Sequence, residues 1–111
     1  MATTYKRLGA AAGNGTIGTA STLYTVPAST ATVISTIVIC NTSGTAGTFS
    51  ISGSTTTSFI SGQEIVYQAA IAGNDTIGLT FGMTLDATNK YLLVSSSAAT
   101  IMFSVFGSEI A

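Results

Sequence analysis

Histidine and tryptophan are both missing from this chain of 111 residues, which also has a single cysteine. Without an imidazole base, the many serine and threonine hydroxyls lack their usual activating partner, and a Cys/His metal site cannot form. Cys40 has no second cysteine for a disulfide within the chain, so we expect it to act as a small buried hydrophobe. These absences predict a protein that is not an enzyme and that needs neither a cofactor nor a metal.

Charge is also scarce, because Asp, Glu, Lys and Arg together make up 6% of the residues against about 25% in an ordinary soluble domain. A monomer with so few surface charges tends to associate. The cations Lys6, Arg7 and Lys90 are too few for a patch that follows a phosphate backbone. Ser, Thr and Gly interrupt every apolar segment before it reaches the length of a membrane span. We therefore expect protein partners, including copies of the chain itself, and neither nucleic acid nor a membrane.

Two of the four carboxylates lie in segments with the composition of turns. Asp75 occurs in "AGNDTIG", and Asp86 opens "DATNK". Asp and Asn side chains accept hydrogen bonds from nearby backbone N–H groups and so favour turns. Because no D-x-D-x-D loop is present, a turn-forming role is favoured over calcium binding for both.

Alternating and β-branched residues recur along the whole chain, and no window keeps a helical period. The pattern predicts an all-β protein with a single β-sandwich, either jelly-roll or immunoglobulin-like, of seven to eight short antiparallel strands. The predicted strands are Thr22–Val26, Ala31–Asn41, Thr48–Ser52, Gln63–Gln68, Thr76–Leu85, Tyr91–Ser95 and Thr100–Phe106.

Two of these strands are apolar on both faces. In "TATVISTIVICNTSGT", strict alternation places Val33, Ser35, Ile37 and Ile39 on one face and Ile34, Thr36, Val38 and Cys40 on the other. In "TIMFSVFGSEI", Met102 and Phe106 point away from Ile101, Phe103 and Val105. A thin sandwich covers only one face of each sheet, so the second face needs either a subunit contact or a loop or arm of the same chain.

The strand "TIGLTFGMTL" has its large apolar residues on one face, and its second face is small and flat. Gly78 and Gly82 lie there, four residues apart. Glycine inside a strand marks a bulge or permits close approach of another backbone. Both interpretations remain open for these two positions.

Residues 1–21 are rich in Gly and Ala, and we predict that they form an extended N-terminal arm in front of a sandwich domain at residues 22–111. The arm has few large apolar anchors, so we expect another chain to hold it, with Lys6 and Arg7 meeting carboxylates there. Together with the two-sided strands, this predicts a candidate interface of Tyr5, Lys6, Arg7, Leu8, Val38, Gly78, Gly82, Met102 and Phe106.

Three segments carry a resemblance to known proteins: "MATTYK" at the N-terminus, "LYTVPASTATVISTIVICNTS" at Leu23–Ser43, and "NDTIGLTFGMTLDATNKYLLVSSSAATIMFSVFGSEIA" at Asn74–Ala111. They resemble small β-rich virion proteins of tailed bacteriophages, including those of cyanobacteria. The resemblance leaves Gly53–Gly73 outside. It implies a structural protein of the virion, assembled in the host cytoplasm.

Three functions are compatible with these observations. The first is a capsid decoration, or cement, protein that binds the major capsid protein as a homo-oligomer, with a trimer suiting three-fold positions. The second is a tail, neck, baseplate or fibre-adaptor component. The third is a carbohydrate-binding module for host glycans, which needs an exposed aromatic platform; of the nine aromatics, Tyr24, Tyr67 and Tyr91 are expected to be exposed.

Overall fold

The computed structural model describes residues 3–111, apart from the side chain of Phe81. All regular structure in this range is β, as predicted, and none of it is a helix long and apolar enough to cross a membrane. Two of the predicted strands, β3 and β6, have the predicted bounds. The eight strands are β1 (Thr3–Ala12), β2 (Ser21–Thr25), β3 (Ala31–Asn41), β4 (Gly47–Ser54), β5 (Glu64–Ile71), β6 (Thr76–Leu85), β7 (Tyr91–Ser96) and β8 (Ile101–Ile110).

The strands form two antiparallel sheets of four. Sheet 1 has the order β1-β8-β3-β6, and sheet 2 has the order β2-β7-β4-β5. Residues from both sheets build one apolar core, in which Phe49 of β4 meets Phe103 of β8 edge to face with ring centroids 6.3 Å apart. Alternate residues of each strand therefore point into the core, and the remaining ones form two outer faces.

The segment that we expected to be an arm contains a strand. Thr3–Ala12 form β1, which pairs with β8 from Thr3 opposite Ile110 to Ala12 opposite Met102. Backbone hydrogen bonds to β8 order this segment within its own chain, although we expected another chain to hold it. A ladder of backbone hydrogen bonds needs little apolar bulk, which explains why small residues suffice here. The predicted boundary between residues 21 and 22 falls at the start of β2.

A β-bulge in β3 changes which side chains face the core. The register of β3 shifts between Ile34 and Thr36 against both of its neighbours. Ile34 is consequently fully buried and Val33 is not, so the faces predicted for these two residues by strict alternation were wrong. Gly107 of β8 permits the bulge, because a Cβ there would lie 2.1 Å from the carbonyl oxygen of Val33.

A polar cluster joins four strands at one end of the sandwich. Glu109 of β8 pairs with Lys6 of β1, with 2.8 Å between Nζ and Oε1, and it accepts a hydrogen bond from the hydroxyl of Tyr24 on β2. The same hydroxyl lies 2.9 Å from Oγ1 of Thr32 on β3. Tyr24 is buried, with 8% of its surface exposed, so its predicted exposure was wrong. The cluster ties sheet 1 to the first strand of sheet 2.

The cluster shifts the pKa values of its acidic members in opposite directions. Hydrogen bonds from Lys6 and Tyr24 hold the pKa of Glu109 below its usual value. Burial, reinforced by the neighbouring Glu109 carboxylate, raises the pKa of Tyr24 to about 12. The phenol is therefore a proton donor to a carboxylate throughout the neutral range.

This arrangement predicts a loss of stability at alkaline pH that depends on Tyr24. An unfolded tyrosine ionises near pH 10, while the folded Tyr24 keeps its proton until about pH 12. The stabilisation is therefore complete below about pH 10 and is lost as the pH rises towards 12. Tyr24→Phe should lower the free energy of unfolding at about pH 8 by roughly 1–3 kcal/mol, and its difference from the wild type should shrink at about pH 11.

Urea unfolding at the two pH values measures this difference. Tyr67→Phe is the control, because Tyr67 is exposed and should show no such dependence. A deficit in Tyr24→Phe that stays constant between the two pH values would contradict the assignment.

Candidate protein interface

Over β4 and β7, the outer face of sheet 2 is covered by loops of the same chain. Leu93 of β7 points to this face, opposite Ser52, and is nevertheless completely buried. The serines beside it are also buried, although polar side chains on an outer sheet face are normally in water. These serines are Ser50, Ser52, Ser54 and Ser95.

Two loops make contact with this face, residues 13–20 between β1 and β2 and residues 55–63 between β4 and β5. From the first loop, the N–H of Gly18 donates a hydrogen bond to Oγ of Ser95 at 3.3 Å. To the second loop, Oγ of Ser52 donates a hydrogen bond to the carbonyl oxygen of Gln63 at 2.8 Å. The chain therefore covers this part of sheet 2 itself, while the two strands predicted to be apolar on both faces, β3 and β8, lie in sheet 1.

The outer face of sheet 1, which we call the open face, is different. Each of its side chains retains at least partial exposure to solvent in the part of the chain that the structure describes. The open face includes Tyr5, Arg7, Ala10 and Ala12 of β1, Met102, Ser104, Phe106 and Ser108 of β8, Val33, Thr36, Val38 and Cys40 of β3, and Thr76, Gly78, Thr80, Gly82 and Thr84 of β6.

Strand register places the large apolar residues of the open face in one strip. Cys40 lies opposite Met102, and Val38, two residues along β3, lies between Gly78 of β6 and Ser104 of β8. Met102 is 36% exposed. Cys40 is half-buried, although we expected it to be fully buried. The strip follows the two central strands, and small residues flank it on both sides.

Seven of the nine predicted interface residues lie on the open face, namely Tyr5, Arg7, Val38, Gly78, Gly82, Met102 and Phe106. Lys6 and Leu8 lie elsewhere. Lys6 pairs with Glu109 of its own chain, and Leu8, at a register shift between Arg7 and Gly9, packs against the core. The structure thus brings residues from all four strands of sheet 1 onto a single surface.

The two glycines of β6 have different local settings. Gly82 lies at the register shift between β3 and β6, which agrees with the bulge interpretation for that position. Gly78 lies in the regular ladder opposite Val38, where a bulge does not explain it. A Cβ at either glycine would meet nothing within 4 Å, so packing within the chain does not require glycine there. Both leave a flat margin that another backbone can approach.

Tyr5 extends across the open face from its edge. Its hydroxyl lies 3.0 Å from Oγ of Ser35 on β3, so the side chain spans the intervening strand β8. Ser35 in turn donates a hydrogen bond to the carbonyl oxygen of Phe106 at 3.1 Å. The Tyr5 ring is 65% exposed and yet fixed in position, which lowers the side-chain entropy that a binding partner would have to restrict.

The carboxylates are engaged in local structure. Oδ1 of Asp86 accepts hydrogen bonds from the N–H groups of Thr88 and Asn89 at 2.8 and 2.9 Å, which lower the pKa of Asp86. Asp75 accepts one from the N–H of Thr76. The predicted turn role is confirmed for Asp86 by this geometry. Within residues 3–111, no three His, Cys, Asp or Glu side chains come together in a way that could hold a metal ion.

No family model matches the chain, and no curated protein matches it in sequence. The two outer faces of the sandwich differ in their geometry. The outer face of sheet 2 is closed by loops over β4 and β7. The open face is flat, apolar along its centre and almost uncharged, with Arg7 as the charged side chain that the described register places on it. Such a surface is suited to burial against another protein.

The two faces of β3 predict different outcomes for neighbouring substitutions. Ile37 is fully buried, so Ile37→Asp places an unpaired charge in the core and should prevent folding. Val38 is half-buried on the open face, so Val38→Asp should leave a folded chain that associates much less. Circular dichroism measures the folding, and sedimentation velocity measures the association.

Val38→Thr is the matched control, since it keeps the β-branched shape without the charge and should associate like the wild type. A Val38→Asp protein that is folded and associates as strongly as the wild type would show that the open face is not an interface.

Proposed function

We propose that the chain is a non-enzymatic structural protein of a tailed-bacteriophage virion and that it assembles through the open face. The observation that carries the proposal is the contrast between the two outer faces. The chain covers β4 and β7 of sheet 2 with its own loops, while the apolar centre of sheet 1 stays accessible. Apolar surface of this extent on a protein with 6% charged residues favours burial in an assembly.

The strand order supports the jelly-roll alternative over the immunoglobulin-like one. In sheets ordered β1-β8-β3-β6 and β2-β7-β4-β5, every connection crosses from one sheet to the other except that between β4 and β5. An immunoglobulin-like sandwich instead keeps several consecutive strands in the same sheet. Eight-stranded jelly rolls recur in viral capsid and lectin domains. We therefore propose a jelly roll for this chain.

The size of the open face is adequate for a specific contact. Four strands about 4.8 Å apart and about ten residues long span roughly 600 Å² in plan, and side-chain relief adds to this. A stable interface buries about 800 Å² on each partner. Nearly the whole open face would therefore be used, which agrees with the lack of charge across it.

Within the virion, we propose a capsid decoration protein that binds the major capsid protein and further copies of itself. A homo-oligomer, with a trimer suiting three-fold positions, would bury the open face and add contacts across the capsid lattice. A tail, neck, baseplate or fibre-adaptor component could use the same surface. The copy number per virion distinguishes the two, because a decoration protein repeats over the head and an adaptor does not.

Rebinding to parent particles that lack the protein tests this function. Met102→Lys is the test variant, because Met102 is already partly exposed and the isolated chain can direct a lysine to solvent. It should bind particles about tenfold or more weakly, since a charge would be buried on binding. Tyr67→Ala on β5, outside the open face, should bind like the wild type. Equal binding by Met102→Lys and the wild type would contradict the proposal.

A further inference from the structure

A groove of about 350 Å³ opens on the outer face of sheet 2, between the two covering loops and β5. Its lining includes Gly18 from the first loop, Phe59 from the second loop, and Tyr67 and Gln68 from β5. The volume lies at the lower end of the range for small-molecule sites, roughly 300–1,000 Å³. We propose that this groove binds a short neutral saccharide.

The first feature that points to a ligand is Tyr67. It lines the groove with 69% of its surface exposed, the largest exposure among the large hydrophobic side chains described. Folding leaves this ring in water although burial would be favourable. An accessible aromatic face beside polar groups packs against the C–H face of a sugar, while its hydroxyl stays available for hydrogen bonding. Tyr67 is one of the three tyrosines that we expected to be exposed.

The second feature is backbone strain at the next residue. Gln68 has a φ of 47°, in the left-handed region that few residues other than glycine adopt. The strain occurs where the register of β4 and β5 shifts between Phe49 and Ile51, and the N–H of Gln68 donates a hydrogen bond to Oγ of Ser50 at 2.9 Å. Bulges and strained residues of this kind concentrate at binding sites, where they redirect a side chain. Here the bulge brings an amide, with two donors and one acceptor, to the groove.

The charge of the groove selects among ligands. Glu64 lines it, and among the lining residues that the structure describes there is no Lys or Arg to attract a phosphate or sulfate. Oε1 of Glu64 accepts a hydrogen bond from the N–H of Gly62 at 2.6 Å, which orients the carboxylate. Its second oxygen can accept from a sugar hydroxyl. One carboxylate, one amide, the Ser61 hydroxyl and an aromatic ring suit a neutral saccharide better than an anion.

The groove and the open face lie on opposite sides of the molecule, because the two sheets face each other through the core. A subunit held by its open face would present the groove outward. The saccharide site does not require the virion proposal, and each can fail separately. Its residues on β5 and in the second loop also lie within Gly53–Gly73, the segment that the resemblance to virion proteins leaves out.

Titration of the isolated protein with defined oligosaccharides, followed by NMR, tests the site. The neutral probes are maltotriose, cellotriose and triacetylchitotriose, and a heparin tetrasaccharide is the anionic comparison. At least one neutral probe should shift the signals of Tyr67 and Gln68. Tyr67→Ala should weaken its binding about tenfold or more, as expected when an aromatic contact is lost.

Two further variants make the test specific. Tyr5→Ala is the matched control, because Tyr5 is 65% exposed, nearly as much as Tyr67, but lies on the open face; it should bind the saccharide like the wild type. Gln68→Gly keeps the left-handed backbone without strain and removes the amide, so the protein should fold and bind more weakly.

Three results would overturn the proposal: no binding of any neutral probe, preference for the heparin tetrasaccharide, or equal loss of binding in Tyr67→Ala and Tyr5→Ala. The particle-binding assay tests the proposed virion function independently, since particle binding is expected to depend on Met102 and not on Tyr67.

Discussion

A β-sheet has two faces, and a strand that is apolar on both needs to be covered twice. The two sheets of this chain cover each other's inner faces, and Ile37 and Phe103 are accordingly almost completely inaccessible. The outer faces of the two sheets are covered to different extents. Loops hide Leu93 on sheet 2, while Val38 and Met102 on sheet 1 remain in contact with solvent. This inequality underlies both the proposed assembly through one side and the proposed ligand site on the other.

The few charges are placed so that they leave the open face nearly neutral. Each carboxylate accepts a hydrogen bond within the chain: Glu64 from Gly62, Asp75 from Thr76, Asp86 from Thr88, and Glu109 from Tyr24. Lys6 completes the cluster around Glu109. The carboxylates of this protein therefore stabilise turns and one end of the sandwich. An uncharged sheet face loses little hydration free energy on being buried, which is a requirement for assembly through it.

Much of the fold follows from local pattern, and the departures have physical causes. Alternation predicted the faces of β8 and of the described side chains of β6, because exposed and less exposed positions alternate along both strands. It misplaced Val33 and Ile34, because the bulge in β3 depends on Gly107 of β8, a neighbouring strand that is far away in the sequence. It missed β1, whose partner β8 is at the other end of the chain. Tyr24 was expected to be exposed, yet it is buried with partners on β3 and β8.

The candidate surfaces were predictable to different degrees. The open face could be predicted from the sequence, because Val38, Met102 and Phe106 are apolar residues on one face of strands whose opposite face is also apolar. The groove could not be found, because it depends on where a Ser- and Thr-rich loop folds, and the composition of that loop resembles any solvated connection. The strain at Gln68 is likewise set by the pairing of β4 with β5.

Cys40 provides the most direct test of the claim that the open face is buried between proteins. As the single cysteine of the chain, it lies half-buried on that face, opposite Met102. The rate of its reaction with a maleimide can be followed as the protein concentration is raised through the range in which sedimentation detects association. The account predicts that labelling slows in proportion to the associated fraction. Labelling at the same rate in the dissociated and the associated protein would contradict it.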